Sequence, residues 1–129
     1  MHVYSARPEH IDKLAEIAGA AFENYPLHTA VKGLLADPDV HAVMIRVFAR
    51  YHTVLVLEDQ GEILGVALLN HRPPGLLEYL RYCRPLLGYM RFDRLVRFFA
   101  FTEAADSVVR RESDFDWFLT VIAVDPSRQ

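Results

Sequence analysis

Trp117-Phe118-Leu119-Thr120-Val121-Ile122-Ala123-Val124-Asp125-Pro126-Ser127-Arg128-Gln129 is the stretch whose reading decides most about this chain. Its first eight residues are aromatic, aliphatic or β-branched, the composition of a β-strand. Near-continuous apolarity predicts a strand covered on both faces. Asp125-Pro126 ends it, because proline cannot donate to a ladder and aspartate favours turns. The last five residues read as loop. Thr120 is the only polar residue inside the strand. It either faces a cleft or is a β-former whose hydroxyl bonds to backbone.

Moving toward the N-terminus, Glu112, Asp114 and Asp116 gather just before this strand. Carboxylates there can take a proton from an amine or attract a cationic group, and Asp116 adjoins the strand. The plainer reading is a solvated acidic loop. Before them a helix is predicted from Phe92 to Arg111, with Leu95, Val96, Phe98, Phe99, Phe101, Ala105 and Val108 forming a wide apolar face. A short helix, Leu76 to Cys83, is stopped by Pro85 and Gly88. Pro73-Pro74-Gly75 closes the segment ahead of it. Further back, Thr53 to Leu57 and Glu62 to Leu69 flank the turn Asp59-Gln60-Gly61, which reads as an antiparallel hairpin.

The first fifty residues are helical in period. Val3 to Ser5 forms a short opening strand, and Pro8 with Glu9 suits a first helical turn. Ile11, Leu14, Ile17, Ala18, Ala21 and Phe22 then share one helix face, ending near Asn24-Tyr25-Pro26. Asp37 and Pro38 cap and open a second helix, whose stripe is Val40, Val43, Met44, Val47, Phe48 and Tyr51. The expected fold is therefore α/β (α+β), a largely antiparallel sheet with helices on both faces, in one domain spanning residues 1–129.

Composition narrows the functional classes. Apolar residues make up 52% and charged residues 24% of the 129, which fits a globular domain and excludes a disordered one. A net charge of −3 gives no general pull toward nucleic acid. Arg72, Arg81, Arg84, Arg91, Arg94 and Arg97 concentrate positive charge in one stretch, read as solvated helix faces or as a surface for a phosphate-bearing ligand or acidic partner. A lone Cys83 allows no internal disulfide and points to a reducing cytoplasm. No membrane span is expected. His41 and His52 lack metal-ligand spacing, so no metal site is expected either.

Three stretches resemble the GNAT superfamily of N-acetyltransferases. Arg7-Pro8-Glu9-His10-Ile11 with Ala21-Phe22 is similar to the family's opening strand and helix. Leu57 to Ala67, with Gly65 on a strand, looks like its second and third strands. Trp117 to Gln129 resembles the fourth strand and the start of the cofactor loop. The aromatic pair entering that strand and Asn24-Tyr25-Pro26-Leu27 are most similar to the puromycin N-acetyltransferase-like branch.

The resemblance implies attack of a primary amine on the thioester of acetyl-coenzyme A. It implies that Ile122, Ala123 and Val124 pair with the pantetheine as an added strand, and that Gln129 begins the Gly-rich loop holding the pyrophosphate. It places Tyr25 and His28 on the acceptor side, and Asp116 and Thr120 as candidates near the chemistry. Because the glycines of that loop would follow Gln129, the expectation is the N-terminal part of an acetyltransferase, inactive by itself. An open fourth strand is expected to self-associate. The alternative is a non-catalytic interaction module that uses that strand edge. A third class, an arginine-rich nucleic-acid binder, requires the basic stretch to form one face.

Overall fold

The computed structural model describes residues 1–23, 40–71, 76–89, 91–112 and 117–128. At its centre is the hairpin of β2 (Thr53–Asp59) and β3 (Glu62–His71), with Asp59 opposite Glu62. Gln60 (φ 51°) and Gly61 (φ 81°) are both left-handed. Such a two-residue turn matches the twist of the strands it joins. β1 (His2–Ser5) pairs with β2, and β4 (Trp117–Val124) pairs with β3. The result is a four-stranded, wholly antiparallel sheet in the order β1-β2-β3-β4.

A 3₁₀ turn at Pro8–His10 leads into α1 (Ile11–Ala21), which lies across β3 and β4. Leu14, Ala15, Ile17 and Ala18 are buried there, as their spacing requires. Against them the sheet turns Val54, Val56, Val66, Leu68, Val121 and Ala123, all buried. Strand alternation brings these residues to one face. α2 (Val40–Phe48) packs along α1. It buries Ala42 and Ile45 as well as Val43, Val47 and Phe48, a wider face than the expected stripe. Tyr51 lies beyond the helix end. Asp37, Pro38 and the segment Pro73-Pro74-Gly75 lie outside the described residues.

α3 (Leu76–Leu87) corrects one expectation, since it runs through Pro85 instead of stopping at Cys83. Proline at position 85 has no N–H for the Arg81 carbonyl four residues back. The Tyr51 hydroxyl donates to that carbonyl at 3.4 Å, so tertiary packing supplies what the helix cannot. Tyr82 anchors the same helix: it is fully buried, its ring centroid lies 4.8 Å from that of Phe48, and its hydroxyl is 2.6 Å from His52 Nε2. Cys83 is half-buried against the core.

α4 (Phe92–Glu112) packs on α3. Only Leu95 and Phe98 of its expected apolar face are buried, while Val96 and Val108 are exposed. A second correction concerns β4, which is covered on one face and not on two. Val121 and Ala123 are buried, but Ile122 is 60% exposed, Trp117 52% and Leu119 49%. The apolar run therefore hides an alternation of covered and uncovered positions. No helix among the described residues is long and apolar enough to cross a membrane.

Candidate functional site: the outer edge and bulge of β4

β4 is the last strand of the sheet, and only its β3 side is paired among the described residues. The pairing slips in mid-strand: Leu68 faces Val121 and Leu69 faces Leu119, which leaves Thr120 as an extra residue. Such a bulge bends the strand and re-aims side chains. Thr120 is half-buried, and its Oγ1 is buried with no hydrogen-bond partner. Its hydroxyl is thus not bonded to backbone. Asn70, opposite Phe118, is the one fully buried polar residue described, and its Oδ1 is also unpartnered. Two unsatisfied oxygens therefore flank the bulge, where each would ordinarily cost about 1–3 kcal/mol. Sequence reasoning passed over Asn70. An amide directly after Leu68-Leu69 in a strand was the available signal.

Backbone direction follows from two contacts. The Asp125 N–H donates to the Leu64 carbonyl at 2.7 Å. The Ala123 carbonyl points at Gly65 closely enough that a Cβ placed there would come within 2.9 Å of it. Antiparallel pairing alternates the inward and outward residues. Ala123 and Asp125 accordingly face β3, while the N–H and C=O groups of Ile122 and Val124 face the open edge.

Beside that edge the uncovered face forms a shallow hollow of about 270 Å³, lined on its outward side by Val3, Leu55, Leu57, Ala67, Ile122 and Val124. The register sets Val3, Leu57, Gly65 and Val124 in one row across all four strands. Gly65 leaves that row flat, as its place in a strand suggested. Past β4, Asp125 closes a 3₁₀ turn at Pro126–Arg128: its Oδ1 accepts from the Ser127 N–H at 2.9 Å and the Ser127 hydroxyl at 2.8 Å. The Ser127 hydroxyl and amide hold the Asp125 carboxyl below its ordinary pKa. Arg128 pairs with Glu62 and ties the turn to the start of β3.

Of the residues singled out from sequence, Thr120, Ile122, Ala123 and Val124 share this one strand. Asp116, Gln129, Tyr25 and His28 lie outside the described residues, as does Asp114. Among the described residues no group of three or more His, Cys, Asp or Glu side chains is placed to hold a metal ion.

No family model matches the chain, and no curated protein does. A crystal structure described as histone acetyltransferase HPA2 and related acetyltransferase, from Corynebacterium glutamicum, shares its fold at a TM-score of 0.58 and 18% sequence identity. The superposition covers 98% of this chain and 61% of that one, so the present chain spans under two thirds of its neighbour's length. The likeness shows the fold class alone: an α/β fold with four antiparallel strands and four α-helices described, shared with that structure. An edge strand with outward amides, a bulge and an apolar hollow can add an extended, amide-bearing ligand as a further strand.

Proposed function

We propose that the chain belongs to an acetyl-coenzyme A-dependent N-acetyltransferase acting on a primary amine, within the puromycin N-acetyltransferase-like branch that its aromatic strand entry resembles. The observation that carries this reading is the open outer edge of β4, where Ile122 and Val124 present backbone donors and acceptors next to the Thr120 bulge, on a fold shared with an acetyltransferase. The pantetheine arm is a chain of amides and pairs with such an edge as a peptide does. When bound, acetyl-coenzyme A supplies an activated acyl carbon as a thioester.

The chain's own residues then have defined tasks. Ile122 and Val124 hold the arm in register, and the bulge turns the strand where the acyl group must leave it. Thr120 cannot act as a base at neutral pH, so its role is to orient. Asp116 remains the candidate for receiving the amine's proton, and Tyr25 and His28 for contacting the acceptor. Gln129 begins the loop proposed to hold the pyrophosphate.

A substitution pair tests the edge. Ile122→Pro removes an outward N–H, whereas Ala123→Pro removes one that serves the β3 ladder. In the full-length protein, Ile122→Pro is expected to weaken acetyl-coenzyme A binding at least about tenfold by calorimetry with little loss of stability. Such a loss corresponds to roughly one hydrogen bond. Unchanged binding in that variant overturns the proposal.

A second reading is favoured by the exposure of Trp117, Leu119 and Ile122 on a strand whose outer edge has no partner strand among the described residues. Here β4 pairs with β4 of a second copy and the module acts without catalysis. An apolar open edge favours such pairing. Light scattering that gives a monomer across a wide concentration range removes this reading.

A further inference from the structure

The arginines at the opposite border of the sheet serve none of these tasks. Between the β1–α1 connection and the end of α2 lies a cleft of about 450 Å³, lined by Ala6, Arg7, Pro8, Ile11, Asp12, Arg46, Ala49, Arg50 and Tyr89. Three arginines and one aspartate are among its lining residues, within a chain whose overall charge is −3. The positive charge is only partly answered. Arg46 reaches Asp12 at 3.5 Å, and Arg7 reaches Glu9 at 3.9 Å, in pairs whose acids are well exposed and weakly bound. Arg50 has no acidic partner among the described residues.

Arg81 and Arg91 of the basic stretch noted in the sequence do not line this cleft and hold local partners. Arg81 sets its guanidinium 5.7 Å from the ring centroid of Tyr51, the residue after Arg50. Arg91, two residues beyond Tyr89, pairs with its neighbour Asp93 at 3.4 Å. Ala6, Pro8, Ile11, Ala49 and the ring of Tyr89 supply an apolar lining beside the charge. Arginine forks suit phosphate oxygens, and an apolar lining suits an attached planar or aliphatic group.

We infer that this cleft is a second binding site, for a small phosphorylated molecule carrying at least two negative charges, with Arg7, Arg46 and Arg50 as its anion contacts. It borders β1 and the α1–α2 layer, whereas the proposed coenzyme edge is β4, at the other end of the strand order. It does not depend on the acetyltransferase reading.

The probe is inorganic pyrophosphate, titrated by calorimetry into the full-length protein at low ionic strength. The expected result is binding that weakens as salt is raised. Arg50→Ala and Arg7→Ala should each weaken it about tenfold, the effect of losing one charge-assisted contact. Neither residue is buried, so both variants should keep the wild-type melting temperature. Arg110→Ala on α4, away from the cleft, should bind as wild type. Absence of binding overturns the inference. So does affinity unchanged by Arg7→Ala and Arg50→Ala. Retention of a single-stranded oligonucleotide without pyrophosphate binding overturns it as well, in favour of an extended nucleic-acid face.

Discussion

The two faces of the sheet are built from nearly the same residue types and meet opposite fates. On one, the face that packs against α1, Val54, Val56, Val66, Leu68, Val121 and Ala123 are buried. On the other, Val3, Leu57, Leu55, Ala67, Ile122 and Val124 line an open hollow, with Leu119 and Trp117 exposed further along β4. Apolarity in a strand therefore records what a position can be packed against, while cover depends on which element lies above it. A strand that reads as doubly buried is here half uncovered, and the uncovered half adjoins the unpaired edge. That coincidence makes β4 the candidate site.

The contrast is sharpest under truncation. Leu68→Ala should cost about 2–5 kcal/mol, since a fully buried leucine leaves a cavity under α1. Ile122→Ala on the open face should cost under about 1 kcal/mol. Chemical denaturation of both variants decides the matter: equal losses would mean that the open face is covered in solution.

Gly65 is the one place where the open face itself should be intolerant. Its Cβ would meet the Ala123 carbonyl at 2.9 Å, a backbone atom that cannot rotate away. Gly65→Ala is expected to cost about 1–3 kcal/mol through a shift of β3 against β4. A wild-type melting temperature would show that the β3–β4 pairing is looser than its register implies.

The smallest effect lies where β4 ends. Asp125 has a lowered pKa because the Ser127 hydroxyl and amide donate to it. A depressed carboxyl pKa favours the folded turn above the ordinary aspartate pKa of about 4, and the contribution disappears as pH falls through the lower folded value. Faster amide exchange at Ser127 below about pH 4, with β3 unaffected, is the expected signature. Exchange with no such acid limb, or the same profile in Asp125→Asn, would remove Asp125 from the account of this turn.

Much of this was legible in residue order. The hairpin announced itself through Asp59-Gln60-Gly61, whose central pair does take positive φ. The α1 stripe was readable because Leu14, Ile17 and Ala18 recur at helical spacing. The path of α3 through Pro85 was not, because the Tyr51 hydroxyl that answers the Arg81 carbonyl comes from thirty residues away. Nor was Asn70, whose lack of a partner exists only once neighbouring strands enclose it.

The site shows the same division. Thr120 could be singled out as the lone polar residue of its strand, but its being the bulged residue depends on how β3 and β4 register. Ile122, Ala123 and Val124 are equivalent in sequence. Only pairing turns the groups of Ala123 inward and those of the other two toward the edge. The basic stretch was visible as a run of arginines, yet the cleft draws on Arg7, Arg46 and Arg50, which come from the β1–α1 connection and α2.

Residue order was enough to tell most helical from extended segments and to give an α/β fold, because local period and turn chemistry are written in neighbouring residues. Tertiary structure alone decided which face of β4 is open, which backbone groups meet the edge and which arginines share a cleft. Those are relations between residues far apart in the chain, and only packing brings them together.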